Sequence, residues 1–480
     1  MQKLKKIILA PQNNLQNNKN QNIFCFTIKE RIKYSSLVCI FCIFLLPFNY
    51  TFAQEKIKGH GGPVKGLTIS PDNKILVSTS FDYTSILWSI ENMAELQTFN
   101  DHNAAVNIAK FSPDQKYLIT VSDDTQVLLY DLEKTSFNSS NETKVIQLGR
   151  HAGKVSDANF SIDSKFLVTS GWDGKIMIWN LENMSLLLET SSGHRGPINA
   201  VQFSNDNNFI YSAGYDGTIR KYDLISEEIK QVIISNGWGI NVFHIDESKE
   251  ILVYGSTDGA IVIYDYANYE EILRIGEERI PVLSLTRNKS GSFIALGNSK
   301  GRVIIIETES FSLVRDFRAA YGPVWALALN NDGTMLFVGG LDDFINQWDL
   351  VTYPQPVIIP PGPARRFNPS KKISNGEKQF ARKCSVCHTL VADSKRRAGP
   401  TLYKLFGRRA GSLQDYKYSD TLIQSEIVWN AESIHRLFTE GPDVVLPGTK
   451  MPIQRMKSSK DRVDLINFLK VATENNDLTQ

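Results

Sequence analysis

The chain has 480 residues, 42% hydrophobic and 22% charged, a composition of folded, soluble material that excludes a disordered chain. That length exceeds one ordinary core, so two domains plus a targeting segment are expected. The net charge of +2 hides an asymmetry, because residues 1–53 carry +6, residues 54–371 carry −10, and residues 372–480, with 18 basic against 12 acidic side chains, carry +6. A negative body tethered to a positive tail favours salt-sensitive attraction between the two, and no nucleic-acid partner is expected.

Residues 1–53 place seven Lys or Arg before Tyr34. The apolar run SSLVCIFCIFLLPFNYTFA follows, with Thr51 and Ala53 spaced like a signal-peptidase site. The pattern predicts export, with cleavage after Ala53, to the periplasm of a Gram-negative bacterium. An uncleaved anchor is the alternative, but the uninterrupted apolar stretch is about ten residues and Pro47 breaks it, short of the ~20 that a spanning helix needs. No stable membrane span is therefore expected after cleavage. Of five cysteines, Cys25, Cys39 and Cys42 fall in this segment, which leaves Cys384 and Cys387 to the mature chain.

Residues 54–357 repeat one pattern seven times, from about Gly59 to Val357. An Asp recurs at a fixed turn (Asp82, Asp124, Asp173, Asp216, Asp258, Asp342), with Lys300 in the one slot that lacks it. The spacings are 42, 49, 43, 42, 42 and 42 residues. Six residues after each comes Trp88, Tyr130, Trp179, Tyr222, Tyr264, Ile306 or Trp348, and 22 residues before the first four stands His60, His102, His151 or His194. Within each copy, β-prone runs alternate with turns, as in VSDANFSIDSKFLVTSGWDGKIMIWN.

These repeats resemble the WD40 family, whose GH and WD signals stand here in GHRGPINAVQF, GWDGKIMIWN and INQWDL. The resemblance implies an all-β, seven-bladed propeller with four strands per blade. Blade two carries an insertion around Phe137 to Glu142, expected to be a surface loop. The resemblance also gives the histidines a structural role, as links in a buried chain formed in the best copy by His151, Thr169 or Ser170, Asp173 and Trp179. Asn236, Glu278 and Ala320 replace the histidine in the last three copies. The residue before each turn Asp faces the narrow top rim in this family; here Phe81, Trp172 and Tyr215 are expected to form an aromatic docking patch for a protein partner, extended by Trp238 and Tyr321.

Residues 358–371 form a linker within PQPVIIPPGPARRFNP, whose six prolines mark a polyproline-like boundary. The apolar run Val357 to Ile359 is a candidate outer closing strand for the propeller. Beyond it, about ten residues at ~3.1 Å each reach roughly 30 Å, enough for the C-terminal domain to meet its own propeller.

Residues 372–480 carry the run Cys384-Ser-Val-Cys387-His388. Two thiols three residues apart and followed at once by an imidazole form the pattern of covalent haem attachment, with the histidine binding iron. A zinc or thioredoxin-like reading lacks a second ligand pair and leaves His388 without a role. NGEKQFARKCSVCHT, AGPTLYKLFGRRAG, YKYSDTL, PGTKMP and DLINFLK, in this order, resemble a class I cytochrome c of the mitochondrial and bacterial c2 type, an all-α domain.

By that resemblance Met451 is the distal iron ligand opposite His388, in one haem c. Pro400 would accept the proton on the far nitrogen of His388, and Arg408, Tyr418 and Trp429 match residues that bond or neutralise the haem propionates. Thr449 matches a hydroxyl near those propionates and Met451. Gly376 and Phe380 of the first helix are expected against Leu465 and Phe468 of the last, and Leu422 stands where the family often has asparagine. Met456 is expected to pack or face solvent, and His435 to be a surface histidine. Lys383, Lys395, Arg396, Arg397, Lys417, Lys450 and Lys457 are expected to ring the haem edge and steer it toward acidic redox partners.

The expected function is a periplasmic monohaem carrier of single electrons, with the propeller docking a partner or the cytochrome itself. No catalytic residue is assigned. The alternatives are the haem subunit of a periplasmic oxidoreductase, or a redox-sensing scaffold.

Overall fold

The structure, a computed structural model, describes residues 55–133, 144–276, 278–351, 373–392, 397–416, 418–449, 451 and 453–474. The blade-two insertion, the linker and residues 1–53 therefore lie outside the described residues. Among the described residues, no helix is long and apolar enough to cross a membrane.

The repeat becomes seven four-stranded antiparallel sheets arranged as propeller blades. Blade three shows why the sequence folds so. Its strands Val155–Phe160, Phe166–Gly171 and Ile176–Asn180 are almost wholly buried, whereas the outermost strand, Ser185–Thr190, is mostly exposed. Strands sandwiched between neighbouring blades bury both faces, while the outer edge strand SLLLET leaves Leu186 and Leu187 exposed.

Every blade skips one residue in the pairing of its first strand: Lys65, Asn107, Ser156, Asn199, Asn241, Leu283 or Trp325. Such a bulge re-aims a side chain. Asn107, Asn199 and Asn241 use it to donate to carbonyls of the next blade, Val155, Ile240 and Val282, at 2.7, 2.8 and 2.7 Å. The ring closes through the N-terminus, because Glu55–Lys58 pairs with Phe344–Asp349 as the fourth strand of blade seven. In this edge strand Ile57 supplies the buried contact, 6% exposed. Val357 to Ile359, the candidate closing strand, lie outside the described residues.

The four histidines are buried. In blade three the Trp179 indole donates to Thr169 Oγ1 (3.0 Å), the Thr169 hydroxyl faces His151 Nε2 (2.9 Å), and His151 Nδ1 donates to Asp173 (3.1 Å). Thr169 rather than Ser170 is thus the hydroxyl of the chain. Blade two substitutes a different aromatic contact, with Tyr130 donating to Asp101 at 3.0 Å. Burial raises the Asp124 carboxyl, but bonds from His102 and the amides of Asn103 and Gln126 outweigh it and bring the pKa down to about 2. Blade six, without histidine, ties its turn to Asn298, whose side chain accepts from the Lys300 and Arg302 amides at 2.9 and 3.0 Å.

The C-terminal domain is helical: α1 (Asn375–Lys383), α2 (Asp420–Ile423), α3 (Ala431–Glu440), α4 (Pro442–Val445) and α5 (Ser459–Glu474). Ser374 caps α1, and Asn430 with Ser433 forms a reciprocal capping box on α3. Helices α1 and α5 pack through Gly376, where a Cβ would collide with the Asp464 carbonyl oxygen and Phe468, and through Phe380 and Phe468, whose ring centroids lie 5.7 Å apart. Asn375 locks the crossing by donating to Asp461 (2.8 Å) and Asp464 (2.7 Å).

Candidate functional site

The end of α1 delivers the site. The Cys384 amide continues the helix by donating to Phe380 (2.9 Å), and the amides of Cys387 and His388 turn back onto the Cys384 carbonyl at 3.1 and 2.9 Å. This tight turn places Cys384, Cys387 and His388 on the wall of a cavity of about 410 Å³, within the size range of cofactor sites. Pro400, Arg408, Tyr418, Trp429, Thr449 and Met451 line the same cavity, so the nine residues singled out in the sequence share one site. Leu402, Leu405, Leu437, Phe438, Leu446 and Leu469 supply an apolar wall, and Leu422 lines it too.

His388 Nδ1 lies 2.7 Å from the Pro400 carbonyl oxygen. A carbonyl only accepts, so Nδ1 carries the proton and Nε2 keeps its lone pair. Gly399 makes this approach possible, since a Cβ there would sit 2.5 Å from His388 Cε1. Burial pushes the Cys384 thiol up to about 12. Met451, which lines the same cavity, packs on the helical core, and its amide donates to Thr449 Oγ1 (3.2 Å).

Arg408 reaches the site differently from expectation. Its guanidinium donates to the carbonyls of Tyr403 (2.7 Å) and Thr401 (2.6 Å), bracing the loop that follows Pro400. The backbone of residues 407–410 pairs with Ile427 and Trp429, which brings Arg408 and Trp429 together. Burial pushes Tyr418 up to about 12. Met456 packs in the core, 5% exposed, and His435 is half-buried on α3, away from the cavity wall.

Of the expected basic rim, Lys383 lines the cavity, Lys457 is exposed and Arg397 is buried, while Lys395, Arg396, Lys417 and Lys450 lie outside the described residues. The expected aromatic rim divides. Trp172, Tyr215 and Trp238 are exposed at 56%, 64% and 62%. Phe81 instead tilts against Trp325, with ring centroids 5.4 Å apart, under Lys65, and Tyr321 lies beneath Arg318.

Three residues at this site were not picked out from the sequence. Tyr416 donates to the Ala398 carbonyl (2.8 Å); its spacing two residues before Tyr418 was the available signal. Tyr83, from the blade-one turn, donates to the same carbonyl at 2.9 Å. Gly399 is the third, visible in sequence only as part of AGP.

The geometry and fold define a c-type cytochrome joined to a β-propeller. The chain belongs to the cytochrome c family: the Cytochrome c profile matches residues 373–473. Over that region it is 39% identical to cytochrome c of Gibberella zeae across 102 residues, 21% of this chain and 95% of the relative. Cytochrome c of Cochliobolus lunatus is 41% identical across 99 residues (21% and 91%), and that of Theileria parva 38% across 121 (25% and 96%). The WD domain, G-beta repeat profile matches residues 52–89, 93–131, 142–180, 186–223 and 311–349. The family implies a haem cofactor with iron, and WD40 repeats imply protein interaction.

Proposed function

We propose that this chain is an exported, periplasmic carrier of single electrons with one haem c, and that its propeller docks a redox partner. The reading rests on His388, whose Nδ1 is spent on Pro400 at 2.7 Å so that Nε2 is free to bind iron in the cavity it shares with Cys384, Cys387 and Met451. The group, when bound, supplies a ferric/ferrous couple that exchanges one electron. Cys384 and Cys387 would hold it as thioethers, and His388 and Met451 would bind its iron. The thioether of Met451, bound to that iron, would favour the ferrous state and raise the potential.

Pro400 fixes the orientation of the histidine, and Thr449 fixes the loop of Met451. Tyr418 and Trp429 line the cavity and would meet the propionates, with Arg408, held on the Tyr403 and Thr401 carbonyls, supplying positive charge beside them. Support for a single haem comes from the sole Cys-x-x-Cys-His run in the sequence, and support for export from the basic and apolar pattern of residues 1–53. The exposed Trp172 and Tyr215 support a docking rim on the propeller.

The test is a pyridine haemochrome spectrum with redox titration of protein exported by a host that attaches haem c. One haem c per chain and a one-electron titration are expected. Colourless protein with two free thiols would overturn the reading.

A further inference from the structure

The residue after the turn Asp position has a left-handed backbone in blades one to six. Blades three to six use glycine there (Gly174, Gly217, Gly259, Gly301), with φ between +73° and +101°. Blade one holds Tyr83 in the same conformation, φ +72°, and blade two holds Thr125, φ +74°. A bulky side chain is strained at such a position and glycine is not, so tyrosine is a local misfit that propeller folding does not require. Its ring is nevertheless only 7% exposed. Its hydroxyl donates to Ala398, two residues before the carbonyl that orients His388.

Phe81 and Tyr83 of blade one, Ala104, Ala105 and Asp123 of blade two, and Lys154 at the start of blade three line the same cavity as Cys384, Cys387 and His388. The propeller therefore forms part of the wall on which the attachment residues lie. The near-complete burial of Tyr83, together with a bond across 315 residues, marks a built contact.

We propose that the propeller is a resident lid on the haem crevice, with Tyr83 as its latch, so that a protein partner exchanges electrons with the iron only when the lid lifts. This rests on the haem reading above. It assigns the blade-one rim to the chain's own cytochrome and leaves Trp172, Tyr215 and Trp238 as the outward-facing aromatics.

The test uses the full chain and Tyr83→Gly, which installs the residue that four other blades carry at this turn and so preserves the propeller. Haem content and visible spectrum are recorded first; a colourless wild-type chain defeats the haem reading, independently of the lid. Reduced protein is then mixed in stopped flow with ferricyanide, a small oxidant, and with oxidised azurin, a protein oxidant. Tyr83→Gly is expected to raise the azurin rate at least about fivefold, the equilibrium factor for losing one net hydrogen bond, and to change the ferricyanide rate less than twofold. An azurin rate equal in the two proteins, or a parallel rise with both oxidants, would overturn the lid.

Discussion

Gly399→Ala tests the close approach that orients the iron ligand. Gly399 does not occupy the left-handed region, so alanine meets no backbone penalty and the perturbation is steric alone. The new methyl would lie 2.5 Å from His388 Cε1 and 2.8 Å from both ring nitrogens. The ring cannot simply turn aside, because its Nδ1 is tied to Pro400 at 2.7 Å and His388 follows directly on Cys387 in the attachment turn. Relief must come from the loop or from a lengthened ligand bond. Overpacking of this kind costs about 1 to 3 kcal/mol. For a domain of this size each kcal/mol moves the melting temperature by ~4 to 8 °C, so a fall of about 4 to 24 °C is expected. The assay is thermal unfolding of the ferric protein followed at the haem absorbance, with redox titration of the same sample. Gly407→Ala is the contrast: its φ is +83° with nothing near the Cβ position, so it should lower stability by about 1 kcal/mol and leave spectrum and potential alone. Gly399→Ala protein that melts within 2 °C of wild type with an unchanged potential would refute the reasoning.

Met451→Ala should retain attached haem, open the distal position to added imidazole and lower the potential by on the order of 0.1 V, within the ~0.8 V that axial ligands span; titration and ligand-binding spectra check it. Thr169→Val leaves both Trp179 Nε1 and His151 Nε2 without their shared oxygen, and should cost about 2 to 4 kcal/mol in urea unfolding of the propeller. The carboxyl of Asp124 is depressed in the folded state, to about 2. Its contribution is therefore complete above the ordinary carboxylate pKa and is lost as pH falls from about 4 toward 2. Discounted for partial exposure, that is about 1 to 2 kcal/mol, and it should vanish from the pH dependence of unfolding in Asp124→Asn.

The blades were legible because their chemistry is periodic: an Asp at a turn and an aromatic six residues later fix register without any tertiary knowledge. The cavity residues were legible because short motifs carry them, CSVCH and PGTKMP above all. Contacts between distant segments were not. Glu55–Lys58 reads as an unremarkable charged stretch, and only the unfilled edge of Phe344–Asp349 makes it a strand. Phe81 looked equivalent to Trp172 and Tyr215, yet it alone has Trp325 and Lys65 beside it, because the sequence at the facing bulge differs from blade to blade. Tyr83 carried a signal that was there to be found, a large residue where four copies have glycine, but its meaning depends on Ala398, which lies in a different domain.

The Ala398 carbonyl has two donors, and they belong to different domains. Tyr416 comes from the cytochrome at 2.8 Å and Tyr83 from the propeller at 2.9 Å. From Ala398 the chain runs through Gly399 to Pro400, whose carbonyl sets how strongly His388 donates to iron. If Tyr83 were the only donor, lifting the propeller would free the loop, weaken the bond at Pro400 and shift the potential whenever a partner gained access. With Tyr416 in place, the carbonyl keeps a donor after Tyr83 departs, and the loop retains its anchor. Arg408 adds a second brace at Thr401 and Tyr403, on the other side of Pro400. Opening the lid should then change who reaches the haem without changing what the iron is worth as an oxidant. Tyr416→Phe removes that insurance. In this variant, and not in the wild type, Tyr83→Gly should move the potential as well as the rate. A potential equally indifferent to both substitutions would show that the loop draws its rigidity from elsewhere.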